Sequence, residues 1–398
     1  MEVLILVMAI HYSFQVINTV IKINMKNLKL SLAILMGITI FFSACSKDNT
    51  SNDTNKVAMN FDAAYVVNGE SNSISVINLS ANKVDTTFTL PMFQADQGMG
   101  MMGSGTVNMW PHHISLSPDK SKIAVSFPGS NLNGGAGMML SSFTSGSMMG
   151  NNTIQGKILI LDAVTGKILK ELTLDGMAYN AVFSPDGKEI WSALMMTSGK
   201  VNVFDATSYA LMNTIVVGQM PSEVSFSEDG KKVYVANGMS NTVTVIDAAT
   251  KQVLENAAVG NYPVGAWPGM GGMMYVDNEK DHSIGMMNGT TNMMTGSVQL
   301  GYVPGMVASN TMMNQMWVSD PNGGKVQMWT NTNNGYVMGG TVTVGNGASS
   351  MAFNKSGTTC YVTNQNDGTV SVVNVTTLNE MMKIKVGSKP NGIVIRYN

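Results

Sequence analysis

Arginine is almost missing from this chain: Arg396 is the single one in 398 residues. Charged residues make up 12% of the sequence, and the formal net charge is −2. Phosphate and nucleic-acid sites lean on arginine forks and basic patches, so the composition argues against a nucleic-acid partner. Cysteine is nearly as scarce. Cys45 and Cys360 cannot build a disulfide framework, and no C-x-x-C-H run is present to carry a covalent haem. The four histidines are His11, His112, His113 and His282, too few after the N-terminal segment for a multi-histidine copper cluster. Helical periodicity is essentially absent, and no serine lies in a strand-turn-helix elbow. Asp119, Asp186 and Asp229 stand in turns beside Gly or Pro, where turn hydrogen bonding explains them. No catalytic constellation emerges.

What the chain does have is a repeat. Pro221–Gly260 holds four short β-type runs, each closed by a turn signal such as Glu228-Asp229-Gly230. Equivalent starts fall at Ala178, Pro221, Pro263, Pro304, Ala348 and Pro390, roughly 42 residues apart, with an earlier one at Pro111. The Pro111 unit carries roughly 25 extra residues, which Pro128–Gly156 accounts for. The last start yields one strand and then the chain ends. Ala64–Asn68 and Ser73–Asn78, conversely, read as second and third strands with no first strand before them. The pattern predicts an all-β fold, a seven-bladed β-propeller over residues 61–398 in which the C-terminal strand completes the N-terminal blade. Such closure leaves no unpaired edge and predicts a monomer.

VYVAN at Val233–Asn237 and CYVTN at Cys360–Asn364, each followed by a V-x-V-[IV]-[DN] strand, resemble the YVTN-type seven-bladed propellers. In the fifth and sixth repeats the motif is degraded, with Met286-Met287 in place of the usual Val/Ile pair. The ring also resembles the propellers of nitrous oxide reductase, of the amine dehydrogenase heavy chain and of cytochrome d1. Trp110-Pro111-His112-His113 is similar to the segment before the inner strand in the last of these, which implies an axial histidine and a tetrapyrrole. The Arg-rich surroundings expected for that acidic group are missing.

Residues 1–44 read as an export signal, of which 1–24 fit a segment upstream of the true start. Lys26 and Lys29 form a positive region, Leu30–Phe42 an apolar run too short to span a bilayer, and Phe42-Ser43-Ala44 precedes Cys45. FSAC resembles a bacterial lipobox, which implies cleavage before Cys45 and lipidation of its thiol. Residues 45–60 then form a polar tether, and the expectation is a membrane-anchored lipoprotein facing periplasm or cell surface.

Methionine is the conspicuous excess, with 36 residues. Strand direction sends the Met-rich connections to one face. His113 sits at the start of an inner strand; its repeat equivalents are Asn180, Glu223, Gly265, Met306, Ser350 and Gly392, so these positions ring one channel mouth. Successive strand residues point to opposite sides, which predicts that only one of His112 and His113 faces the axis. Thioether and imidazole together suit Cu(I). The candidate metal set is His113, His112, Met109, Met177, Met220 and Met306, with Asn180, Glu223 and Ser350 at the mouth. Methionine is also an adaptable gap-filler, and Met286, Met287, Met293, Met294 and Met328 stand at strand positions normally held by Val or Ile. The expected role is a non-catalytic envelope binding module with copper as its ligand. The alternatives are a cytochrome d1-like or amine-dehydrogenase-like oxidoreductase or subunit, and an adhesion scaffold whose Met-rich face packs on a protein partner.

Overall fold

The computed structural model describes residues 59–96, 106–128, 155–332 and 335–398. The export segment, Cys45 and the methionines of 97–105 and 129–154 lie outside the described residues. Seven antiparallel sheets follow one another along the chain, each blade running from an inner to an outer strand. Blade 4 shows the pattern: Pro221–Phe226, Lys232–Asn237, Thr242–Asp247 and Val253–Ala258 pair in sequence order. In blade 1, Ala63–Asn68, Ser73–Asn78 and Lys83–Thr89 are completed by Pro390–Arg396. Val66 is the register partner of Ile393, so the two ends of the propeller share one sheet. Between blades 1 and 2 a two-stranded hairpin is added, Phe93–Asp96 with Thr106–Met109. Among the described residues no helix is long and apolar enough to cross a membrane.

The repeat residues explain why these segments fold alike. Tyr65, Tyr234, Tyr275, Trp191 and Trp317 occupy equivalent second-strand positions and are fully buried between blades. Each such side chain contributes roughly 1.5–3 kcal/mol by leaving water. The asparagine that ends the motif ties the second strand to the third. Asn237 donates to Thr242 and Thr244, Asn68 to Ser73 and Ser75, and Asn364 to Thr369 and Ser371. At the far end of the third strand, Asp162, Asp205 and Asp247 accept turn N–H groups two residues on, at 3.0 Å in each case. These acids are turn locks, as their recurrence predicts.

Candidate functional site

One end of the channel opens into a cavity of about 430 Å3. Blades 2 to 5 contribute His112, His113, Tyr179, Glu223, Trp267 and Glu279 to its lining, and the blades that follow round to blade 1 contribute Met306, Ser350, Gln365, Asn366, Lys389 and Asn391.

Both histidines face this cavity, contrary to strict alternation. The reason is local. Pro111 has no N–H to give the sheet, and the regular inner strand begins only at Ile114. Ser126 opposes both histidines at once: it accepts from the His112 N–H at 2.9 Å and donates to the His113 carbonyl at 3.1 Å. Two residues against one is a bulge, and a bulge re-aims side chains. Gly305 and Met306 oppose Ser319 in the same manner in blade 6. The inner strands of blades 4 and 7 shift register between Pro221 and Val224 and between Ala348 and Met351. The device therefore belongs to the repeat.

The imidazoles meet at their Nδ1 atoms, 2.5 Å apart. His113 Nε2 lies 2.7 Å from Glu223 Oε1, two blades away. The other Glu223 oxygen accepts from Asn180 Nδ2, and Asn180 is itself fixed by the backbone of Val224, donating at 2.9 Å and accepting at 3.1 Å. The ring of Tyr179 stands 5.0 Å from His112 and 4.9 Å from His113, centroid to centroid. Burial and the neighbouring His113 hold His112 well below the usual imidazole range, while a hydrogen bond to the Tyr179 carbonyl works the other way. His112 is thus a neutral ring. Burial, then Glu223, pushes the Tyr179 hydroxyl well above its ordinary value.

Of the candidate ligands, the fold brings His112, His113 and Met306 to one cavity, with Glu223 and Ser350 beside them and Asn180 behind Glu223. Met177 and Met220 are placed in an apolar cluster with Tyr179, Met195, Tyr262 and Val264, backing the cavity wall. Met109 is buried in the core of blades 1 and 2, among Tyr65, Phe127 and Leu159. Among the described residues no group of three or more His, Cys, Asp or Glu side chains is arranged to hold a metal ion. Any ion here would rest on two imidazoles and a thioether.

The sequence places Glu223 at the mouth and gives no role to two other carboxylates. Glu279 lines the cavity, and Asp277 is wholly buried with no hydrogen-bond partner on either oxygen. Burial, then the charge of Glu279, raises the Asp277 carboxyl well above its usual range. Aligning the repeats exposes the anomaly: Asp277 stands where other blades carry Val67, Ser126, Ala193, Ala236, Ser319 and Thr363.

No protein-family model matches the chain, and no curated protein matches it. Solved structures do resemble it. A functionally unknown protein from Desulfotomaculum acetoxidans matches with TM-score 0.63 and 13% identity, over 84% of this chain and 99% of that one. The periplasmic gluconolactonase PpgL of Pseudomonas aeruginosa matches with TM-score 0.60 and 14% identity, over 84% and 98%. The dihydro-heme d1 dehydrogenase NirN, in complex with DHE, matches with TM-score 0.57 and 11% identity, over 83% and 74%. At such identities the likeness is one of fold, and the seven-bladed propeller is common to chains with unrelated sites.

Proposed function

We propose that this seven-bladed propeller is a cell-envelope binding module that holds Cu(I) between His112 and His113, with Met306 as a further donor. The observation that supports the reading is the facing pair of Nδ1 atoms. Histidines that bind metal generally give their other ring N–H to a carboxylate or a backbone carbonyl. Glu223 serves His113 in that way, and the Tyr179 carbonyl serves His112. With both protons placed on Nε2, two nitrogen lone pairs face each other and need a positive centre between them. A proton satisfies them at short range. A metal ion, with bonds of about 2 Å to each nitrogen, needs the rings to part by about 1 Å. Two imidazoles and a thioether form a soft, low-coordinate set, which favours Cu(I) over harder ions.

The tetrapyrrole alternative finds little support here. Lys389 is the one lysine or arginine lining the cavity among the described residues, and Arg396 donates to the Met59 carbonyl at 3.3 Å instead. Export and lipidation at Cys45 would place the module at a membrane surface and supply its membrane partner.

The test is an anaerobic Cu(I) titration against a competing chelator. His112→Ala, His113→Ala and Met306→Ala should each weaken binding by tenfold or more, and Met220→Ala should match the parent protein. Parent-like curves for the two histidine variants would remove the metal from this cavity. Metabolic labelling with palmitate, abolished by Cys45→Ala, tests the anchor.

A further inference from the structure

Blades 7 and 1, which follow round the mouth to the histidine blade, bring a different chemistry to the cavity. Gln365 gives both protons of its amide away, to Asn391 Oδ1 at 2.7 Å and to Ser349 Oγ at 3.2 Å. That leaves the Gln365 carbonyl oxygen as an acceptor and the Asn391 amide nitrogen as a donor. Lys389 Nζ donates to Asn366 Oδ1 at 2.7 Å, which frees the Asn366 amide nitrogen in turn. Thr363 Oγ1 fixes the backbone beneath them: it accepts from the Ser350 N–H at 2.9 Å and shares its one proton between the carbonyls of Ser350 and Asn391, at 3.2 and 3.3 Å. The amides are therefore held by one another, with donors and acceptors alternating toward the cavity. Across the opening lies Trp267, half-buried, its indole seated over Gly265. A Cβ at Gly265 would come within 2.2 Å of that ring, so the ring lies there because the residue is glycine.

We infer that this cavity takes a second ligand besides any ion at the histidines, a compact polyhydroxyl molecule, a mono- or disaccharide, held between Trp267 and the amides of Gln365, Asn366 and Asn391. Hydroxyl groups donate and accept at once, so vicinal pairs match alternating amide donors and acceptors. The apolar C–H face of a sugar ring suits an indole. The volume of about 430 Å3 takes one or two sugar rings. Inner strands close it on all sides, which suits a compact ligand better than an extended peptide. None of this depends on metal at the histidines.

The experiment is isothermal titration calorimetry on metal-free protein with glucose, N-acetylglucosamine, maltose and cellobiose, and with a blocked dipeptide in parallel. At least one saccharide should bind. Gln365→Ala and Trp267→Leu should each weaken that binding by tenfold or more, with a cooperative thermal transition showing that each variant is folded at the titration temperature. Met293→Ala, an exposed change just before the outer strand Met294–Gln299, should leave it intact. No heat from any saccharide, unchanged affinity in both cavity variants, or binding of the dipeptide alone would overturn the inference. Loss of Cu(I) binding in the histidine variants bears only on the metal reading.

Discussion

Val66 and Ile393 face each other in antiparallel register although they belong to opposite ends of the propeller. Both are buried, with Ala64, Ile77 and Tyr361 of the adjoining blade packed around them. The ring is thus held shut by a sheet that the chain cannot finish until its last strand is made. Ile393→Ala should cost about 2–4 kcal/mol in denaturant unfolding. Removing residues 390–398 should leave the inner edge of Ala63–Asn68 unpaired and a chain that self-associates, and the free nonapeptide added in trans should restore the monomer. A truncated chain with the parent's midpoint and size would contradict the closure.

Glu223 is nearly buried and holds His113 on one oxygen and Asn180 on the other. Glu223→Ala should lower Cu(I) affinity roughly 10–100-fold through loss of ring orientation. Glu223→Gln, whose amide oxygen still accepts from His113, should lose less. Chelator competition ranks the three proteins; equal affinities would show that Glu223 does not orient the ligand.

The neutral state of His112 makes stability depend on pH. The unfolded chain takes up a proton at this ring below about its ordinary 6.5, and the folded chain resists doing so. The group's contribution is therefore intact above that value and is lost as pH falls toward the depressed folded pKa. His112→Gln should flatten the fall in thermal midpoint below pH 6.5. A parallel fall in both proteins would assign the slope to other groups.

Asp277 has the opposite sign. Its folded pKa is raised above the ordinary 3.8, so its contribution is full below that value and is lost as pH rises through the folded pKa. Asp277→Asn should gain on the parent in thermal midpoint as pH is raised from 4 to 8. Midpoints that move together would show that the folded carboxyl ionises as readily as the unfolded one.

Cys360 is a core residue with no route to solvent, and burial raises its thiol far above the ordinary range. The native protein should leave it unreacted with an aromatic disulfide reagent and expose it only on unfolding. Cys360→Val, the residue found at Val233, should keep the parent stability within about 1.5 kcal/mol.

The seven blades, their turns and the pairing of the chain ends were legible in the sequence. Each repeat writes its own strands with alternating β-branched residues and Asp or Gly turns, and four of the seven add a terminal Asn, at Asn68, Asn237, Asn278 and Asn364, all local signals. Counting along equivalent strands reaches His113, Glu223, Met306 and Ser350, which line the cavity, but also Asn180, which stands behind Glu223. Alternation failed at His112 and His113 because a bulge against Ser126 interrupts the strand where the two residues sit. It also offered no means of telling Met306, which faces the cavity, from Met177 and Met220, which pack behind Tyr179.

By itself, then, the sequence determined the ring and its closure, since repeated local patterning and burial suffice to specify blades. Tertiary structure alone decided which side chains share the mouth. Contacts such as His113 with Glu223, or Gln365 with Asn391, join residues from different blades. Their distances depend on backbone bulges and on how neighbouring sheets pack, and no spacing along the chain encodes either.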